Sequence, residues 1–274
     1  MARLLAFVLV CAAFPFLAGC DLAIRSTLLF GERRPADELF EWRGRIAAGQ
    51  HVEIKGVSGT ITAAPSTSGF VEVTADRRGA RNDPNEVRIA LVEHPAGVTV
   101  CAVYPREGNA CLPGEEGSLS ARSNDVNVAF TVGVPAGVDF VARHVNGTVS
   151  ASGLTGDVEA RTVNGNIDVT AGGHARAVTV NGSISATLGG ENWNREGFFE
   201  TVNGSVTLTL PETADTDVSV RTANGSIRTD LPITDTDERR QRFEGRLGEG
   251  GGALRVRTVN GAVRLQAADQ ESVP

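Results

Sequence analysis

The chain has 274 residues, a formal net charge of −7, 5% aromatic residues and 32 glycines. The acidity argues against nucleic acid as a partner, because phosphate binding needs clustered basic surface. Few aromatics and many glycines suit a narrow core of Val, Ile, Leu and Ala in one elongated repeat domain rather than a thick globular core.

The chain opens with Arg3, an apolar run from Leu4 to Leu17, and then Leu17-Ala18-Gly19-Cys20. A short basic region, an apolar stretch and small residues in that order make a secretory signal, and the run is shorter than the roughly 18–20 residues that cross a bilayer as a helix. Its end resembles the bacterial lipobox. That resemblance implies cleavage before Cys20, diacylglycerol on the Cys20 sulfur and acylation of the new amino group. More than one acyl chain anchors stably, at about 0.8 kcal/mol per buried CH₂. Residues 1–19 are therefore read as the leader and 20–39 as a polar tether; loss of Arg3 with the leader takes the net charge from −7 to −8.

From Phe40 onward come strand-like stretches at Trp42 to Ile46, Val52 to Lys55, Thr60 to Ala63, Val71 to Ala75, Val87 to Val92 and Val98 to Tyr104. Lys55 is the one lysine of the chain and reads as a mark of genome composition. Arg77 to Glu86 and Glu107 to Ser118 are loops by composition. Cys11 leaves with the leader and Cys20 takes the lipid. Cys101 and Cys111 remain, flanking a segment with Pro, Gly and Asn. An even pair in an exported chain reads as a disulfide, adding roughly 2–3 kcal/mol across so short a loop. A redox or metal pair is the alternative, but no CxxC spacing or nearby His supports it. Val126 to Val138 is a strand ended by Pro135, and this corner divides the domain into two lobes or simply turns the chain.

The second half carries Val-Asn-Gly or a close variant six times, at Asn146, Asn164, Asn181, Asn203, Asn224 and Asn260. The steps are 18, 17, 22, 21 and 36 residues, and Asp235 to Gly252, charged and then Gly-rich, accounts for the last. Two places before each Asn stand His144, Thr162, Thr179, Thr201, Thr222 and Thr258; three places after it the residue is always Val or Ile. Gly56 to Ile61 looks like a divergent copy with Ser58 in the Asn place. β-branched residues alternating on both sides of a turn signal make strands, and nothing here has helical periodicity. Asn-Gly suits either a type I′ hairpin or a corner in a β-solenoid, where Gly takes a conformation other residues resist and Asn amides stack. One signal per 17–22 residues favours an all-β, single-domain β-solenoid over residues 40–267, with 268–274 a flexible tail. The alternative is stacked antiparallel hairpins, for which Gly153 to Gly156, Gly172-Gly173 and Gly189-Gly190 supply the second turns.

Trp42-Arg-Gly-Arg-Ile with Gly49 and Gly56-Val-Ser-Gly59 opens a wider pattern. It continues through Cys101-Ala-Val-Tyr-Pro105, Val134-Pro-Ala-Gly-Val138, the Val-Asn-Gly series, Gly245-Arg-Leu-Gly and Leu254 to Gly261. The combination resembles the bacterial putative-adhesin family of β-strand-repeat domains, whose biochemical role is not established. The resemblance covers nearly the whole mature chain. It implies an envelope-located β-solenoid and supplies no catalytic residues.

The candidate chemistry is sparse. The six Asn are expected to form a structural ladder shielded from bulk water, so that removing one costs on the order of 1–3 kcal/mol. Arg143, Arg161, Arg221 and Arg257 share a column interrupted by Val178 and Glu200; it is either a ligand surface for an anionic glycan or a solvated, charge-balanced face. Trp193 lies in a polar stretch where it stacks on a sugar ring or folds over the repeat edge. Thr234 to Glu238 reads as a solvated acidic loop, and the four His have no metal-ligand spacing. No cofactor is expected. Two classes compete: a non-catalytic envelope lipoprotein with a membrane anchor and a glycan or protein partner, periplasmic or at the cell surface, and a carbohydrate-active lyase or hydrolase on a β-helix. For the second, Asp157, Glu159 and Asp168 come nearest to a catalytic carboxyl group.

Overall fold

The computed structural model describes residues 33–189, 195–239 and 241–268. Cys20, Trp193 and the tail beyond 268 lie outside the described residues.

The described residues form strands β1 (Arg34–Pro35), β2 (Phe40–Gly44), β3 (His51–Lys55), β4 (Gly59–Pro65), β5 (Val71–Gly79), β6 (Arg88–His94), β7 (Gly97–Val103) and β8 (Asn127–Val134). The repeat region supplies β9 (Asp139–Arg143), β10 (Val149–Leu154), β11 (Val158–Arg161), β12 (Ile167–Ala171), β13 (Ala175–Val178), β14 (Ile184–Leu188), β15 (Gly197–Asn203) and β16 (Val206–Leu210). The chain ends with β17 (Thr216–Asn224), β18 (Ile227–Thr229), β19 (Thr234–Arg239), β20 (Arg242–Leu247), β21 (Gly252–Asn260) and β22 (Val263–Ala267). One 3₁₀ turn, Pro84–Glu86, is capped by the Asp83 side chain, which accepts from Asn85 N. The fold is all-β.

Two eleven-stranded sheets share this chain. Sheet I runs β1-β5-β8-β4-β10-β12-β14-β16-β22-β18, with β2 also on β5; sheet II runs β19-β20-β17-β21-β15-β13-β11-β9-β3-β7-β6. Alternation in the sequence is what lets both sheets share one core. In β11, Val158 and Ala160 point inward while Glu159 and Arg161 point out; in β12, Ile167, Val169 and Ala171 point inward while Asp168 and Thr170 point out. Phe130, Phe140, Phe199, Ile184 and Leu208 fill the space between the sheets.

Each Asn-Gly corner carries the chain from sheet II to sheet I, as between β11 and β12. The flanking strands therefore belong to different sheets, and the corner is not a hairpin turn. The glycines that would have closed hairpins, Gly153 to Gly156 and Gly172-Gly173, sit where the chain crosses back. Successive repeats pair parallel and in register, Val158 with Ala175 in one sheet and Ile167 with Ile184 in the other. Ser58 bridges Asn146 in parallel, which puts Gly56 to Ile61 in the same stack. β3 pairs with β9 across the Pro135 corner, so the two sides of that corner form one stack rather than two lobes.

Antiparallel pairing is confined to the two ends. At one end β5 lies against β8 and β6 against β7; at the other β20 lies against β17 and β19 against β20. The acidic run beginning at Thr234 is thus not a loop but edge strand β19. Charges along an edge strand discourage pairing with other chains. The 36-residue step holds this hairpin, after which the chain returns and inserts: β21 lies between β15 and β17, and β22 between β16 and β18. The same exchange occurs at the start, where β3 lies between β7 and β9. Pairing begins at Arg34, which meets Gly79, inside the segment expected to be a tether.

The segment between β7 and β8 is fastened across sheet II. Cys101 and Cys111 form a disulfide with Cα atoms 5.7 Å apart. Lys55 Nζ donates to Leu112 O at 2.6 Å and Glu116 O at 2.7 Å, so the chain's one lysine clamps this segment. Glu53, fully buried, accepts from Gly114 N at 2.9 Å, Thr99 Oγ1 at 2.8 Å and Arg143 Nε at 2.8 Å. Donors from three separate elements make its charge tolerable inside the protein. Tyr104 OH donates to Val126 O at 2.7 Å, and burial pushes its pKa up to about 12.

Candidate functional site

The repeated corner is built from two hydrogen-bond ladders. The outer one joins the Asn amides in stack order: Asn164 Nδ2 donates to Asn146 Oδ1, Asn181 to Asn164, Asn203 to Asn181 and Asn260 to Asn203, each at 2.8 Å, and Asn224 to Asn260 at 2.9 Å. All six are exposed rather than shielded. The inner one is buried: Thr179, Thr201, Thr258 and Thr222 Oγ1 donate to Gly165, Gly182, Gly204 and Gly261 O at 2.8–3.0 Å. Thr162 does the same to Gly147 O at 3.2 Å, and His144 takes the role with its Nε2 3.1 Å from Gly59 O. Sequence reasoning singles out the Asn column and passes over the Thr column, although both recur in the same alignment.

The ladders differ in what a deletion leaves behind. Asn181→Ala exposes its neighbours' amides to water, so the expected cost is about 1 kcal/mol or less. Thr201→Val keeps the shape of a buried side chain but leaves the half-buried Gly182 carbonyl without its donor, at an expected cost of about 1–3 kcal/mol. Urea melts of the two variants check the ranking; an Asn181→Ala protein less stable than Thr201→Val contradicts it.

His144 is 5% exposed, and among the described residues its Nδ1 makes no hydrogen bond. Burial, ahead of every other influence, lowers its pKa below the ordinary 6.5. Unfolding lets the ring take a proton that the folded site refuses, so its contribution is full above about 6.5 and is lost as pH falls below it. His144→Thr restores the column residue and is expected to flatten the loss of stability on acidification from about pH 7 to 5. Melting curves across that range check this; an unchanged slope contradicts it.

In sheet II the Arg column reads, in register, Lys55, Arg143, Arg161, Val178, Glu200, Arg257, Arg221 and Arg242. Its two ends differ. Arg143 meets Glu53 at 2.8 Å and Glu159 at 3.3 Å, while Arg161 meets Glu159 at 2.9 Å and Glu115 at 2.6 Å. Three carboxylates thus serve two guanidinium groups, whose side chains are only 20% and 34% exposed. At the other end Arg242 meets Glu244 at 2.5 Å and Arg221 meets the same carboxylate at 3.7 Å. Arg242's hydrogen bond, the leading cause, holds the Glu244 carboxyl below its ordinary pKa. Arg257 is exposed and forms no ion pair among the described residues. Sequence alignment of the repeats misses Arg242, which belongs to the hairpin and has no Val-Asn-Gly beside it.

Two hollows open on this stretch of sheet II, of about 500 and 630 Å³, and both are lined by Arg221 and Arg257. Arg242 and Glu200 line one; Glu244, Arg246 and Arg255 line the other.

Of the carboxylates considered for catalysis, Asp157 and Glu159 line one hollow of about 350 Å³ with Asp139 and Glu196, and Asp168 lies apart from it. Asp157 and Glu159 belong to the sheet II side, whereas Asp168 points out from sheet I. Asp157 Oδ1 accepts from His174 N at 3.0 Å and Oδ2 pairs with Arg195; Glu159 is held between Arg143 and Arg161. His51 and His94 rings lie 5.3 Å apart, and burial, with His94's charge second, lowers the His51 pKa.

No protein-family model matches the chain, and no curated protein matches it. Among solved structures, a putative cell adhesion protein from Clostridium sporogenes is similar over 84% of this chain and 100% of its own, at 10% identity and a TM-score of 0.45. A putative adhesin from Bacteroides fragilis is similar over 85% of this chain and 98% of its own, at 12% identity and a TM-score of 0.34.

Proposed function

We propose that the chain is a membrane-anchored envelope lipoprotein, held through Cys20 at the periplasmic side or the cell surface. In this reading its stacked repeats form a β-solenoid that serves as a non-catalytic, adhesin-like binding and scaffolding module. The supporting observation is where the repeated and charged residues are spent. Thr, Asn and Gly fasten one repeat to the next, and Asp157 and Glu159 are engaged by His174 N, Arg195, Arg143 and Arg161. A Cys101–Cys111 disulfide suits an exported chain. The reading needs no cofactor, and its partners are the membrane, through the lipid, and an envelope glycan or protein.

The competing reading, a carbohydrate-active enzyme, needs two carboxyl groups about 5–10 Å apart across a scissile bond. Asp168 serves it poorly from the opposite sheet, and Asp157 and Glu159, which share a hollow, are each engaged by arginine. Palmitate labelling and membrane fractionation test the anchor: both should be lost in Cys20→Ala, and a variant that still labels and sediments overturns it. A glycan array probed with the processed chain tests the binding role, with retention of at least one envelope glycan expected and none retained contradicting it.

A further inference from the structure

We infer that the C-terminal end of sheet II binds an acidic polysaccharide across Arg257, Arg221 and Arg242. This rests on the binding-module reading and adds to it a place and a ligand class.

Positive charge at this end of sheet II is incompletely met. Arg257, Arg221 and Arg242 are direct cross-strand neighbours on β21, β17 and β20. Like charges opposite one another on adjacent strands repel, so such a run persists only with counter-charge nearby. Within the same column the pair Arg143 and Arg161 has three carboxylates. Among the described residues the trio has one ion-pair partner, Glu244, shared between Arg221 and Arg242. Of the other acids lining the two hollows, Asp217 and Asp235 both face Arg246, and Glu200, the cross-strand neighbour of Arg257, stands beside it without forming an ion pair. Arg255 is matched by Glu196 at 3.1 Å. A chain of net charge −7 therefore keeps a local excess of guanidinium at one place.

The shape selects among anions. Three roots on adjacent strands, at about 4.8 Å steps, make a straight run of charge along the stack. The run fits an extended chain bearing acid on successive units better than a single small anion. Arg221 and Arg257 sit between two hollows, with the β19–β20 hairpin as one wall. An exposed run walled on one side by this hairpin admits a polymer strand lying along the stack. Arg forks are suited to carboxylate and phosphate groups, which they engage by paired, charge-assisted hydrogen bonds.

The test uses the full processed chain in neutral detergent. Fluorescent polygalacturonate is titrated at low and high salt, with neutral dextran and phosphatidylglycerol vesicles in parallel. Polygalacturonate is expected to bind, to weaken with salt, and to bind about tenfold more weakly to Arg257→Gln; dextran should not bind. Arg257→Gln removes a like-charge neighbour of Arg221, so its melting temperature should not fall. Arg161→Gln lies outside the trio and should bind as the unaltered chain does. Equal binding by Arg257→Gln and the unaltered chain overturns the site. Binding of vesicles without polygalacturonate overturns the ligand class. Retention of neutral glycans alone, unaffected by Arg257→Gln, overturns this inference while leaving the binding module standing. Release of new reducing ends from the polymer defeats the non-catalytic reading beneath it.

Discussion

Gly182→Ala is expected to destabilise the protein by about 4 kcal/mol or more, an effect at the extreme of single substitutions. The cause is not a left-handed backbone, since Gly182 has no positive φ; within the Asn-Gly series only Gly147 does, at 147°. A Cβ on Gly182 would fall on the backbone carbonyl of Gly165, far inside van der Waals contact. The same collision recurs at Gly165, Gly204 and Gly261. The expectation that Gly serves here for its turn conformation is thus corrected: it serves because neighbouring corners touch backbone to backbone. Relief of the clash must push adjacent repeats away from each other, which breaks the Thr179 bond to Gly165 O and the Asn181 bond to Asn164 together. Gly172→Ala is the control, because a Cβ there meets nothing closer than 3.9 Å. It should be neutral or stabilising by about 0.4–1 kcal/mol through the unfolded chain. Denaturant melts of both variants check the contrast, and equal stabilities contradict it.

Deleting residues 252–274 is expected to unfold the C-terminal end of the stack rather than trim it. The segment contributes Leu254, Val256, Val263 and Leu265, all essentially fully buried. At roughly 1.5–3 kcal/mol each, these four side chains represent about 6–12 kcal/mol, comparable with the whole stability of a typical domain. Position compounds the loss. Because β21 and β22 are inserted between neighbours, their removal also takes one parallel partner from each of β15, β16, β17 and β18. Hydrogen exchange should lose protection from β15 through β20, whereas deleting 269–274 alone should change nothing. Protection retained in β17 and β20 after the larger deletion would count against the inserted topology.

Most of the strands are legible in the sequence, because alternation and the Asn-Gly period are local signals that survive without knowledge of the stack. Ser58 is legible in the same way. What stays hidden depends on which repeat lies beside which. The insertions of β21 between β15 and β17 and of β3 between β7 and β9 leave no periodic trace, since chain order does not determine stack order. Ion pairs follow suit: Arg143 meets Glu53 ninety positions away, and Arg161 meets Glu115 from a segment held down by the disulfide. Counting four Arg in a column therefore overstates the free charge at one end and misses Arg242 at the other. Lys55 reads as merely compositional because its two carbonyl partners belong to that same distant segment. Trp193 and Cys20 lie outside the described residues, and the role of Cys20 rests on the proposed function.

On the proposed function, this chain holds envelope polymer without cutting it. The most direct measurement is a reducing-end and elimination-product assay on polygalacturonate and peptidoglycan, run at saturating binding with the unaltered chain and with Asp157→Asn. Bound polymer, no products, and no difference between the two proteins beyond any change in stability are expected. Products that form with the unaltered chain and vanish with Asp157→Asn would contradict it.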